Sequence, residues 1–169
     1  YKNEGFVSNL KNYIPAINYE LASVRYGNGL IKNFSLSWED VAKTIYDNDS
    51  FGNELLQKGY FEDELAAALN GTLGTNERII AVYEFVKSRM NWNEKYGVYT
   101  DLGVKKAYKE KIGNVADINL MLVAMFRHIG LNADPVLVST RDNGIAFFPN
   151  RTAYNYVIAA VRTENGTLL

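Results

Sequence analysis

Apolar positions in the second half of the chain recur first at helical and then at strand spacing. Ile79, Val82, Tyr83, Val86 and Met90 follow one another at three- and four-residue steps, with Glu77, Arg78, Glu84 and Lys87 on the remaining faces. That spacing predicts an amphipathic helix from Thr75 to about Met90. Further on, Asn114-Val115-Ala116-Asp117 has the pattern of a helix cap, and Ile118 to Ile129 is apolar on nearly every face before Gly130 offers a stop. A helix without a polar face is predicted to lie at the centre of the fold. Ala133 to Thr140 and Tyr154 to Arg162, rich in valine, isoleucine and tyrosine and separated by Asp142-Asn143-Gly144 and Pro149-Asn150, then read as two strands.

The first half is less regular. Ser37 is placed to cap a helix, Asp40 sits where a capping-box carboxylate would, and Trp38, Val41, Ala42 and Ile45 share one face, with a stop near Asp47-Asn48-Asp49. A shorter helix is predicted over Phe61 to Leu69, and a basic helical stretch over Lys105 to Lys111 before Gly113. Residues 1–36 lack a helical period. Asn18 to Tyr26 and Leu30 to Leu36 alternate around Gly27-Asn28-Gly29, which predicts an extended arm able to close as a hairpin.

With 169 residues and 47% hydrophobic side chains, the chain has the size of one domain with a sizeable core. Eighteen Lys and Arg against 19 Asp and Glu leave a net charge of -1, so the balance attracts neither a phosphate backbone nor an anionic membrane surface, and nucleic acid is not an expected partner. The longest apolar block, Leu120 to Phe126, is far short of the roughly 18 to 20 residues that span a bilayer. Zero cysteines exclude a disulfide, a thiolate metal site and a cysteine nucleophile. A start at Tyr1 and an end at Leu169 inside a predicted strand lead us to expect a piece of a longer protein.

Candidate chemistry is sparse. Asp47 to Gly52 begins like a calcium loop, but its fifth position is Phe51 and its twelfth is Lys58, where oxygen ligands are needed, so a helix-ending turn is expected. His128 is the only histidine, in the last turn of the central helix, where interaction with the negative helix end is expected. The lysines between Lys105 and Lys111 read as a solvated face, and Ser139-Thr140-Arg141-Asp142 as strand-end polarity without an assigned base.

The run Lys111-Ile112-Gly113-Asn114-Val115-Ala116-Asp117-Ile118-Asn119-Leu120-Met121-Leu122, followed by Phe126-Arg127, Gly130-Leu131, Ala133, Pro135-Val136-Leu137 and Ser139-Thr140-Arg141, resembles the transglutaminase-like superfamily. The likeness is greatest to bacterial members that carry a preceding β-rich domain. It implies an α+β, papain-like fold in which the central buried helix packs on an antiparallel sheet. Residues 75–169 would be the core, 37–74 a helical connector, and 1–36 an extended arm from the preceding domain. In active relatives a nucleophilic cysteine follows the glycine by two positions, where the helix dipole lowers its pKa. Here that position is Val115. The family's histidine corresponds to Tyr156, in Tyr154-Asn155-Tyr156, and a phenol of pKa about 10 is a poor base at neutral pH. The third member, an aspartate, would lie past Leu169.

The resemblance therefore implies a pseudoenzyme, retained as a binding or scaffolding module in a larger bacterial protein outside the cytoplasm, periplasmic or secreted. Asp117, Asn155, Tyr156, Trp92 and Arg141 are the candidate binding residues, for a peptide, protein or glycan in the degenerate cleft, with no cofactor and no metal expected. The alternative is a hydrolase or acyl-transfer enzyme using a nucleophile other than cysteine. Convergence of polar groups at Val115 and Tyr156 would favour that alternative.

Overall fold

A computed structural model describes residues 7, 9–15, 17, 19, 21, 23–33, 37–72 and 74–169. Its organising element is the predicted central helix, α5 (Val115–His128), in chain order the last of five; α1 is Trp38–Tyr46, α2 Glu62–Ala68, α3 Thr75–Arg89 and α4 Val104–Glu110. Ten of its residues, from Val115 to Phe126, are buried. Leu120, Met121, Val123 and Met125 have no exposed surface. A helix so apolar cannot leave a face in water, and several neighbours cover it, α4 and the short turn Glu54–Leu56 among them.

One is an antiparallel sheet of β5 (Asn132–Val138), β6 (Tyr156–Thr163) and β7 (Gly166–Leu168), with β6 in the middle. Val157, Ala159 and Val161 alternate along β6 and are buried, and Ala160 on the other face of this central strand is buried as well. Another neighbour is α3, whose Val82 and Val86 are buried in the same core. Of the remaining apolar positions expected on its face, Met90 is buried, Ile79 is half-buried and Tyr83 is exposed.

Two corrections concern helix surroundings. Ser37 caps α1 by accepting from the Asp40 N–H at 3.1 Å, as expected, but the Asp40 carboxylate accepts from the Ser37 hydroxyl at 3.0 Å. Only Val41 and Ile45 of that helix are buried; Ala42 is exposed and Trp38 turns toward Tyr154. At the end of α5, the Arg78 guanidinium, not His128, takes the terminal carbonyl of Ile129 at 2.8 Å. His128 faces Glu62, 3.6 Å from Nδ1 to Oε1.

Two short pairings complete the frame. β1 (Ser23–Arg25) and β2 (Ile31–Asn33) form the antiparallel hairpin expected in the arm, turning through Gly29 at φ 83°. Positions 18, 20, 22 and 34–36 of the two alternating segments lie outside the described residues. β3 (Asn91–Trp92) runs parallel to β4 (Ile112–Gly113), with Trp92 opposite Gly113. That register sets an indole beside the start of α5.

Candidate functional site

The N-terminus of α5 is built from three residues. Asn114 is extended, its Oδ1 accepts from the Asp117 N–H at 2.8 Å, and Asp117 Oδ2 accepts from the Asn114 N–H at 2.9 Å. This closes a reciprocal capping box. Asp117 is fully buried, and its Oδ1 also accepts from the backbone N–H groups of Gly103 at 3.0 Å and Leu102 at 3.3 Å. The carboxyl group thus ties the loop before α4 to the start of α5. Gly113 is glycine because a Cβ there would lie 2.6 Å from Asp117 Cβ.

Val115 follows in the first turn, with 2% of its surface exposed. Its N–H donates to the Lys95 carbonyl at 3.3 Å, and the Trp92 indole N–H donates to the same oxygen at 3.1 Å. Glu94, in the left-handed region at φ 66°, turns the chain into this arrangement. Lys95 is held further by its N–H to Asn93 Oδ1 at 3.1 Å and by its ammonium to Asp101 at 2.7 Å. Two N–H groups converging on one oxygen can stabilise negative charge developing on an acyl oxygen. Here the oxygen between them is a peptide carbonyl of the same chain.

Tyr156 opens β6 opposite Val138. Its ring lies 5.8 Å from that of Tyr96, which lies 5.3 Å from Trp92. Asn155 serves the sheet: its Oδ1 accepts from the Thr140 N–H at 2.9 Å and its amide donates to Thr140 Oγ1 at 2.8 Å. Tyr154 packs on Trp38 at 5.9 Å.

Of the candidate positions, Val115, Trp92 and Tyr156 are joined through residues 95 and 96. Asp117 lies buried in the cap beneath them, Asn155 is committed to Thr140, and Arg141 sits in the β5–β6 connection with its carbonyl accepting from Asn9 at 2.9 Å. Tyr96, Tyr154, Trp38 and the Lys95 carbonyl were not foreseen as parts of the site. The Trp92-to-Tyr96 spacing and the Tyr154, Tyr156 alternation were visible signals for the rings; a backbone carbonyl has none.

The remaining chemistry lies elsewhere. His128 is 13 residues beyond Val115 on the same helix, about 20 Å away at 1.5 Å per residue. Ser139 donates to the Gly144 carbonyl at 2.5 Å and accepts from Asn143 at 2.9 Å. Among the described residues, no cluster of three or more His, Cys, Asp or Glu could hold a metal ion, and no helix is long and apolar enough to cross a membrane. An apolar groove of about 350 Å³, lined in part by Ile79, Tyr83, Leu122, Ile158 and Leu168, includes none of Trp92, Tyr96 and Tyr156, although its Asn119 donates to the Val115 carbonyl at 3.0 Å.

Comparison with known proteins agrees with this architecture. The model of the transglutaminase-like superfamily matches residues 63–167, from α2 to β7. A crystal structure described as a "putative protease" from Parabacteroides distasonis ATCC 8503 superposes with a TM-score of 0.59 and 10% identity, covering 91% of this chain. The match spans only 31% of that longer chain, and at such identity the likeness bears on the fold alone. Among curated proteins nothing matches.

Proposed function

The chain belongs to the transglutaminase-like superfamily, and from that premise we propose that it is a catalytically degenerate member, acting as a binding or scaffolding module within a larger bacterial protein outside the cytoplasm. The observation that carries this reading is the Lys95 carbonyl, which engages both N–H groups at the helix start. Three further facts support it. Val115 stands where the resemblance places a nucleophile, and the chain contains no cysteine. Tyr156 stands where it places the histidine, and its ring packs on Tyr96. The sole imidazole is at the opposite end of α5.

An enzyme using a hydroxyl nucleophile draws little support, because Ser139 and Thr140 are engaged within the β5–β6 connection and no imidazole is at hand. The test is an assay of amine incorporation into glutamine peptides and of amide and ester hydrolysis. No turnover is expected. Val115→Cys combined with Tyr156→His should recover little, since Lys95 would still hold both donors and proximity without an open acyl site is insufficient. Turnover by the unmodified chain that survives purification controls and disappears with Trp92→Ala would defeat the proposal.

A further inference from the structure

We propose that the aromatic row beside the start of α5 binds a proline-rich peptide in the polyproline II conformation; this rests on the reading of the domain as a binding module and names its ligand class. The row runs Trp92, Tyr96, Tyr156, with neighbouring centroids 5.3 and 5.8 Å apart, and a second ring pair, Tyr154 and Trp38 at 5.9 Å, is joined to it through the chain at Asn155. Tyr154 lies two residues before β6 opens at Tyr156, and the Asn155 side chain between them is bound to Thr140. Trp38, Trp92 and Tyr96 are 38%, 45% and 57% exposed. Large aromatic surfaces held in water together mark an interaction site.

Ring geometry narrows the occupant. Neighbouring planes are tilted by 47° to 60°, which leaves wedge-shaped notches between rings where a flat shelf would need near-coplanar faces. Pyrrolidine rings of a polyproline II helix dock between aromatic side chains in this manner, and the peptide is already ordered before it binds.

Hydrogen-bonding capacity narrows it further. The hydroxyls of Tyr96, Tyr154 and Tyr156 and the indole N–H of Trp38 have no hydrogen-bond partner among the described residues. Several nearby polar atoms are engaged: Asn93 Oδ1 with the Lys95 N–H, Asp101 Oδ2 with the Lys95 ammonium, and the Asn155 side chain with Thr140. The row therefore offers rings, three tyrosine hydroxyls and one indole N–H. A proline-rich strand offers rings and carbonyl acceptors, with few N–H groups to satisfy, whereas a glycan offers hydroxyl donors at every residue. The Trp92 N–H is spent inward on Lys95, which fixes the indole before any ligand arrives.

Both tryptophans of the chain, Trp38 and Trp92, stand in the row, so their fluorescence reports on it directly. The protein is titrated with decaproline, a glycine-serine decapeptide, cellohexaose and maltohexaose. A saturable change with decaproline alone is expected. Tyr96→Ala should weaken it about tenfold or more, as loss of an aromatic anchor does, and Tyr96→Phe by less, with urea midpoints showing both variants folded. No saturation by decaproline, tighter binding of either hexasaccharide or of the glycine-serine peptide, or an unchanged affinity in Tyr96→Ala overturns the proposal. Hydrolysis assays in parallel separate the two readings. Turnover defeats the non-catalytic reading, while a flat titration without turnover defeats only the ligand class.

Discussion

The N-terminus of α5 has an inner and an outer side, and they are built on opposite rules. Inside, Asn114 and Asp117 cap one another, Asp117 gathers the N–H groups of Leu102 and Gly103, and Asn114 donates to the Tyr99 carbonyl at 2.9 Å. These polar groups are paired and buried. Outside, Trp92, Tyr96 and Trp38 keep aromatic surface in water beside the half-buried Tyr154 and Tyr156, and all but Trp92 hold unused donors. Pairing below makes the helix start rigid, and a rigid start holds the row above in place. Stability and recognition are thus assigned to different side chains at one helix end, so substitutions on the two sides should have different consequences.

The largest expected effect is inside. Asp117→Ala removes the acceptor of three buried or half-buried backbone N–H groups, and should cost about 3 to 5 kcal/mol in urea unfolding. Gly113→Ala comes next. A methyl group there meets Asp117 Cβ at 2.6 Å and Ala107 Cβ at 3.2 Å, so strain of about 1 to 3 kcal/mol is expected. If either change leaves the urea midpoint untouched, the inner side is not what holds the helix start.

Much of the inner side was legible in the sequence, and the outer side was not. Asn114, Asp117 and Gly130 are local signals, separated by a few residues from the helix they bound, and the apolar run between them has no other place than the core. The strands β5 and β6 were legible for the same reason. Local pattern could not reveal that Asp117 also holds Leu102 and Gly103, because that contact depends on how a loop 14 and 15 residues earlier returns. Tyr96 meets Tyr156 across 60 positions, and the Lys95 carbonyl is an atom every residue possesses. The expectation for α1 erred on Trp38: its spacing suits the buried face, yet the large ring reaches past it to Tyr154.

A smaller effect belongs to a buried pair of tyrosines on the inner side of the molecule. Tyr60 and Tyr108 meet edge to face at 5.1 Å. Burial pushes the Tyr108 hydroxyl up to about 12, against the opposing pull of the Arg89 guanidinium stacked 3.7 Å from its ring centroid, and burial raises Tyr60 as well, helped by Glu54. In the unfolded chain a tyrosine titrates near 10. Above that pH the unfolded state loses protons that the folded state keeps, so the contribution is intact below about pH 10 and falls as pH rises toward about 12. Urea midpoints between pH 9 and 11.5 should decline less steeply in Tyr108→Phe than in the parent. Parallel curves for the two would show that the buried hydroxyl does not contribute in this way.

The smallest expected effect on stability is the one that most sharpens the comparison. Tyr96 is 57% exposed and makes ring contacts to Trp92 and Tyr156 without a hydrogen bond from its hydroxyl. Aromatic pairs contribute about 0.5 to 1.5 kcal/mol beyond area burial, and exposed pairs belong at the low end. Tyr96→Ala should therefore change unfolding stability by no more than about 0.5 kcal/mol. Trp92→Ala differs in kind, because it removes the indole N–H from the Lys95 carbonyl while leaving that oxygen the Val115 N–H. A net hydrogen bond is worth about 1 kcal/mol, and the remaining donor limits the loss to that order. The two variants together measure how firmly the row is anchored. A cost near 1 kcal/mol for Trp92→Ala and near zero for Tyr96→Ala fits rings displayed on a fixed support. A cost above about 2 kcal/mol for Tyr96→Ala would mean that the ring is part of the core, and the division between an inner side that folds and an outer side that binds would be lost.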